Sequence, residues 1–396
     1  MKAANLTKPL SLILVVLLTA CTSTHTLEKR VSESNYQQVE VSIKAQSEEP
    51  VRILEHSASR LFYDEVQGTT PIRVDGESLN VLVLSGGGAN GAYGAGVLSG
   101  LAASNQLDQY SVVTGISAGA LLAPFAFIGE SEFERMRTVM LSIEDKQVIG
   151  KKNFLNTLFK DAFSKGDKLL EFMQRVYTPE MIERIAQTHQ TGRRLLIGTT
   201  QFDSEQLVVW NLGQIAASDT PNKVVLIQQI LAASASIPGV FPPQFIQVNH
   251  QGEMMEELHV DGGLANQMFL LADHVDYQKI SKALGLTVAP KVHVIRNGTL
   301  AVPYQQVEDN GIQLLARTVQ SMTVRQSQGD LYRMAYFSEL QGLDLSYTAM
   351  DSDLDAQRGS KAMFDAQYML SLYQYGFLKA RSGELWQTLQ HNQIAQ

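Results

Sequence analysis

Ser117 stands between Gly115 and Gly119, in the run Gly115-Ile116-Ser117-Ala118-Gly119, directly after the β-branched stretch Val112-Val113-Thr114. A serine between glycines, with a strand before it and Ala-Gly-Ala-Leu-Leu after it, fits a nucleophile elbow. The sharp strand-to-helix turn tolerates only small neighbours and lifts the hydroxyl clear of the sheet. A second glycine turn, Ser85-Gly86-Gly87-Gly88-Ala89-Asn90-Gly91, follows the apolar run Val81–Leu84. A chain that turns through glycines into a helix leaves several backbone N–H groups unpaired, where the helix dipole also favours negative charge. Such a loop holds an anion, either a phosphate or a transient oxyanion. A serine also needs a base. Asp261, ahead of Gly262 and Gly263, is the strongest acidic candidate, although Asp-Gly is also a common hairpin signal. An ordinary aspartate, with a pKa of about 3.9, is a poor base at neutral pH. It must be held against the hydroxyl and partly desolvated. The histidines after Ser117 are His189, His250, His259, His274, His293 and His391, none in a motif-like setting. A Ser-His-Asp triad through His274 or His293 stays open at this point.

The elements around these residues alternate. A strand over Leu79–Leu84, the glycine loop and a helix to about Ser104 are followed by strand 111–114, the serine turn and a helix over Ala120–Ile128. Strand, turn, helix, repeated, predicts an α/β fold with a mainly parallel sheet covered by helices. Sites in such sheets lie at the carboxyl ends of the strands, which puts both glycine turns on one edge. Leu195–Gln201 and Gln206–Trp210 predict an antiparallel hairpin, and Val224–Ala235 a helix that stops near Pro238. His259-Val260 and Val292–Ile295 read as further strands. Residues 130–192 read as helical, with Leu155, Leu158, Phe159 and Ala162 on one face. Lysines 146, 151, 152, 160, 165 and 168 there predict a solvated face or a contact with anionic head groups. Beyond Asp309 the pattern is helical. Ile312, Leu315, Val319 and Met322 form one stripe and Phe364, Tyr368 and Leu372 another, both expected in the core.

Four motifs in order carry a family resemblance: Gly86-Gly87-Gly88-x-x-Gly91 after a strand, Gly115-x-Ser117-x-Gly119, Ala233-Ser234-Ala235-Ser236-Ile237-Pro238-Gly239-Val240-Phe241-Pro242-Pro243, and Asp261-Gly262-Gly263. Over roughly residues 78–300 the chain resembles the patatin-like phospholipases. The resemblance implies a three-layer α/β/α sandwich and a Ser-Asp dyad without histidine. Ser117 is then the nucleophile, Asp261 the base, and the backbone of Gly86, Gly87 and Gly88 the oxyanion hole, supported by Gly91, Gly115, Gly119, Gly262 and Gly263. The implied reaction is hydrolysis of a lipid or other ester through an acyl-serine. Two positions depart from the family: Ser85, where Asp or Gly is common, and Asn90, where Arg or Lys is usual. A missing cation weakens the case for a phospholipid more than the case for an ester.

The chain has 396 residues, 44% hydrophobic and 18% charged, with a net charge of −8. That predicts a large core and gives no electrostatic reason to bind nucleic acid. Lys2 and Lys8 before the apolar run Leu10–Leu18 form a secretory leader, too short to span a membrane. Leu18-Thr19-Ala20-Cys21 resembles a bacterial lipobox. The lone Cys21 is then lipidated and anchors the chain in the bacterial envelope, with Thr22 favouring the outer membrane. The expected organisation is a leader over 1–20, a lipidated tether over 21–77 with a short ordered piece near Val51–Val66, a catalytic domain over 78–300 and a helical C-terminal region over 301–396 packed on it. No metal or cofactor is implied, since no His/Asp/Glu cluster has ligand spacing. A dinucleotide-binding oxidoreductase fits Gly86-x-Gly88-x-x-Gly91 but lacks the acidic residue after the second strand, Asp108 lying before it. A non-enzymatic envelope lipoprotein that uses the fold as a binding module is the remaining alternative.

Overall fold

Val81, Leu82, Val83 and Leu84 are completely buried, and their alternation divides the interior in two. Leu82 and Leu84 face one hydrophobic core and Val81 and Val83 the other, as period-two side chains of a doubly covered strand must. The computed structural model describes residues 29–44, 49–54, 61–149, 167–302, 304–352, 354 and 362–389. Its strands are β1 (Arg52–Leu54), β2 (Asn80–Leu84), β3 (Val112–Ile116), β4 (Arg194–Gln201), β5 (Gln206–Asn211), β6 (Gln244–His250), β7 (Glu253–Asp261), β8 (Lys291–Arg296) and β9 (Asp344–Ala349). They form one sheet in the order β1-β5-β4-β3-β2-β8-β9, to which the β6–β7 hairpin adds through β7 at the end of β4. Pairing is parallel from β9 through β8, β2 and β3 to β4, and antiparallel at β5 and β1.

One face is covered by α1 (Gly91–Ala103), α2 (Ala118–Ile128), α3 (Phe133–Ser142), α4 (Lys168–Val176), α5 (Pro179–Gln190) and α6 (Lys223–Ser234). The other is covered by the 268–280 segment and the second half of α7 (Gly311–Gln341), with Leu331 and Met334 buried there. A last helix, α8 (Ala366–Arg381), packs on α1. The result is a three-layer α/β/α arrangement around a mainly parallel sheet. The chain leaves β2 toward β3 on one side and returns to β8 on the other. The glycine loop after β2 therefore opens at the point where strand order reverses, where crevices form in such sheets.

Two expectations change and one is extended. The described part of 21–77 is packed on the body rather than hanging from it. Val31 and Val39 are buried against Val248, β1 pairs with β5, and Ile72 is fully buried. These short apolar islands show no period because each fills a separate edge. The C-terminal region is helical in α7 and α8, as expected, and in addition β9 extends the sheet beside β8. Of the two stripes expected in the core, Tyr368 and Leu372 are buried, but Leu315, Val319 and Met322 are exposed. The leader, Cys21, His391, the 155–162 stripe and lysines 151, 152, 160 and 165 lie outside the described residues.

Candidate active site

Strand β3 ends at Ile116, α2 begins at Ala118, and Ser117 alone makes the turn between them. Its φ is 52°, in the left-handed region where a residue with a side chain is held only by its surroundings. Two contacts supply that hold. The Ser117 N–H donates to Ser234 Oγ at 3.0 Å, and the Ser234 hydroxyl donates to the Gly198 carbonyl at 2.6 Å. On the far side Gly119 lies against the Leu84 carbonyl, so closely that any Cβ would clash.

Asp261, the last residue of β7, faces the serine. Ser117 Oγ donates to Asp261 Oδ2 at 2.6 Å, and the Gly263 N–H donates to Oδ1 at 2.7 Å. The Asp261 N–H donates to the Ser236 carbonyl at 3.0 Å and the Thr200 hydroxyl to the Asp261 carbonyl at 2.9 Å. The Ala-Ser-Ala-Ser motif thus joins the two halves of the site, since Ser234 holds the turn at residue 117 while Ser236 holds the strand end at residue 261. Burial pushes the Asp261 carboxyl up to about 7, against the opposing effect of the bonds from Ser117 and Gly263.

The three loop glycines are not equivalent. The Gly86 N–H already donates to the Gln267 carbonyl at 2.9 Å, so the expected set of three donors narrows. Among the described residues Gly87 and Gly88 have no backbone acceptor for theirs. Gly88 has φ +56° and lines one pocket with Ser117, Leu121, Met140, Phe172 and Phe241. That pocket encloses about 430 Å³, its open mouth included, and its walls are almost wholly apolar.

Ser117 Oγ and Asp261 meet directly, with no imidazole between them. His274 stands by Asp273, and His293 stacks on Trp386 at 4.3 Å and meets Tyr110 at 3.0 Å. His259, two residues before Asp261, is bonded to Glu257 and Thr199 inside a buried group with Arg52. Among the described residues no cluster of three or more His, Cys, Asp or Glu could hold a metal ion.

Residues 82–272 match the family described as patatin-like phospholipase. The domain belongs to that family. It is the domain of a lipid acyl hydrolase. No curated protein matches the chain in sequence. Similar solved structures include VipD from Legionella pneumophila, at 11% identity over 81% of this chain and 69% of that one, with a TM-score of 0.38. The type III effector ExoU of Pseudomonas aeruginosa aligns at 13% identity over 78% of this chain and 53% of its own, with a TM-score of 0.34. Human GIVD cytosolic phospholipase A2 aligns at 10% identity over 79% and 59%, with a TM-score of 0.35.

Ser85 and Asn90, the two positions where the sequence led us to expect a departure from the patatin-like domain's usual pattern, both have engaged side chains. Asn90 Oδ1 accepts from the Tyr368 hydroxyl at 3.0 Å, tying the start of α1 to α8. Ser85 is fully buried and accepts from the Asn297 N–H at 2.8 Å. The buried guanidinium of Arg296, at the end of β8, donates to the Gly86 carbonyl at 2.7 Å and to Ser85 Oγ at 3.2 Å. With Asn90 uncharged, the cation on this loop comes from a strand more than two hundred residues later. Fixing the Gly86 carbonyl also fixes the Gly87 N–H, which a planar trans peptide points the opposite way. Only one signal in the sequence pointed to it, an arginine where the run Val292–Ile295 ends.

Proposed function

We propose that this chain hydrolyses a lipid carboxylic ester with a Ser117–Asp261 dyad. The observation that carries the proposal is the 2.6 Å bond from Ser117 Oγ to a buried carboxylate with no histidine on either partner among the described residues. Ionised Asp261 accepts the hydroxyl proton as Oγ attacks the ester carbonyl. In this reading the N–H groups of Gly87 and Gly88, together with that of Ala118 after the nucleophile, receive the oxyanion. Collapse expels the alcohol, which takes the proton from Asp261 and leaves an acyl-serine. Water then gives a proton to Asp261 and attacks the acyl carbonyl. The second collapse releases the fatty acid and returns the proton to Ser117. The apolar pocket beside Ser117 supports an acyl chain as the bound group. The head group is left open by Asn90.

A fluorophosphonate probe, which phosphonylates an activated serine, tests the dyad. Wild type is expected to label, Ser117→Ala not at all, and Asp261→Asn at a small fraction of the wild-type rate. Full labelling of Asp261→Asn, with loss on changing His274 or His293, would replace the dyad by a triad. A folded wild type that takes no label with detergent present would favour the binding-module alternative.

A further inference from the structure

Helix α7 presents two different faces along its length. From residue 324 onward it has a buried side, carrying Val324, Ser327 and Leu331. From residue 313 to residue 323, a length of about 16 Å at 1.5 Å per residue, no described side chain is buried. Yet this stretch is not polar. Leu314, Leu315, Val319 and Met322 are 50, 62, 56 and 66% exposed. At helical spacing they share an arc of about 140°, roughly opposite the buried side of the same helix.

We infer that this exposed stripe is an interfacial surface that rests on a lipid bilayer. Three observations choose a lipid surface over another occupant. The first is continuity with the candidate site. Gln326 lies on the same arc one turn further on, and its amide donates to the carbonyls of Leu264 and Ala265 at 3.1 and 2.9 Å. It also accepts at 3.2 Å from Gln267, which donates to Gly263. The stripe therefore ends on the loop that carries Asp261, where Leu264 is itself 45% exposed. The second is charge. Residues 311–329 contain Arg317 and Arg325 and no acidic residue, in a chain whose net charge is −8. A local reversal of that kind suits anionic head groups. The third is an aromatic anchor. Tyr304 is 98% exposed, and its neighbour Gln305 meets Arg317, two residues on from Leu315 along the helix; tyrosine favours the head-group level. Among the described residues no helix is long and apolar enough to cross a membrane, so the geometry is that of a helix lying in the interface. The surface presupposes the lipid substrate proposed above, because its use is to seat the Asp261 loop at the bilayer.

A local probe tests it in the full chain, whatever the leader does. In a Cys21→Ser background an environment-sensitive fluorophore is attached at Met322→Cys, and at Gln313→Cys on the opposite side of the helix. Vesicles of phosphatidylcholine and phosphatidylglycerol should shift the 322 label to the blue and expose it to quenching by brominated acyl chains, with little change at 313. The triple change Leu315→Ser, Val319→Ser, Met322→Ser should keep hydrolysis of a soluble short-chain ester within about twofold and cut hydrolysis of vesicle lipid about tenfold or more. Labels at 322 and 313 that respond alike to vesicles would overturn the surface. So would a blue shift at 322 that needs only higher protein concentration and is lost when Leu315→Ser and Val319→Ser are added to the labelled chain, which would make the stripe a contact between copies of the chain. If the wild type cleaves neither substrate, the hydrolase proposal fails while the 322 label still decides the docking.

Discussion

Opposing forces set the charge of Asp261. Burial favours its neutral form, while the Ser117 hydroxyl and the Gly263 N–H favour its ionised form. Burial wins, and the carboxyl titrates near 7 rather than at 3.8. A base must be ionised to accept a proton, so kcat/KM for a soluble ester should rise with pH along a limb centred near 7 and level off above it. Stability should run the other way. Between about pH 4 and 7 the unfolded chain has lost this proton while the folded chain keeps it, so this residue's contribution falls as pH rises through that window. Holding that proton so far above the ordinary carboxylate range corresponds to roughly 4 kcal/mol, as an order of magnitude. Asp261→Asn, which can keep the Gly263 bond and carries no charge, should therefore gain on wild type in urea unfolding as pH is raised from 4 to 7. A wild-type rate flat from pH 5 to 9, or an Asn variant that gains nothing, would remove Asp261 as the titrating base. Ser117 and Asp261 were legible because their glycines are demanded locally by backbone geometry. Their 2.6 Å contact was not, since 144 positions separate them and only β7 beside β4 brings them together.

The strands and the glycine turns were legible too, because runs such as Val81–Leu84 and Val112–Val113 need no partner to be recognised as buried and extended. What the loop rests on was not. Arg296 closes β8, and β8 reaches the glycine loop only because it pairs with β2 on the side away from β3. Arg296→Met should leave KM for a soluble ester nearly unchanged and lower kcat about 10²-fold, the scale of a misplaced oxyanion donor. Arg296→Lys, which keeps the charge and a donor, should recover part of the loss. A fall confined to KM, or an equal loss in both variants with reduced stability, would assign Arg296 to packing instead. The misplaced α7 stripe has the same origin. Periodicity says which residues of a helix are apolar, but not which neighbour, if any, covers them. Leu331 meets the second core and Leu315 meets solvent on one continuous helix.

At the scale of the molecule, the N-terminal segment and β9 enclose the domain from opposite edges of the sheet. The clamp on the N-terminal side is the ion pair between Glu49 and Arg194, with two contacts of 2.5 and 2.6 Å and the guanidinium almost fully buried. Glu49→Ala should cost about 3–5 kcal/mol in urea unfolding at pH 7, because it strands a buried charge. Changing Arg194→Met as well should restore most of it. A loss below about 1 kcal/mol would mark the pair as a solvent-screened contact. By itself the sequence determined the chemistry on offer: a serine on a tight turn, a glycine loop running from a strand into a helix, an aspartate at a strand end and alternating strands and helices. Each follows from backbone geometry within a few residues. Only the tertiary structure decided which partner each group meets. It seated Asp261 rather than a histidine on Ser117, took the Gly86 N–H out of the loop's donors, brought Arg296 to the loop in place of a cation at residue 90, and left the α7 stripe uncovered. These are contacts between segments far apart in the chain, and sheet order, which short-range pattern does not specify, sets every one of them.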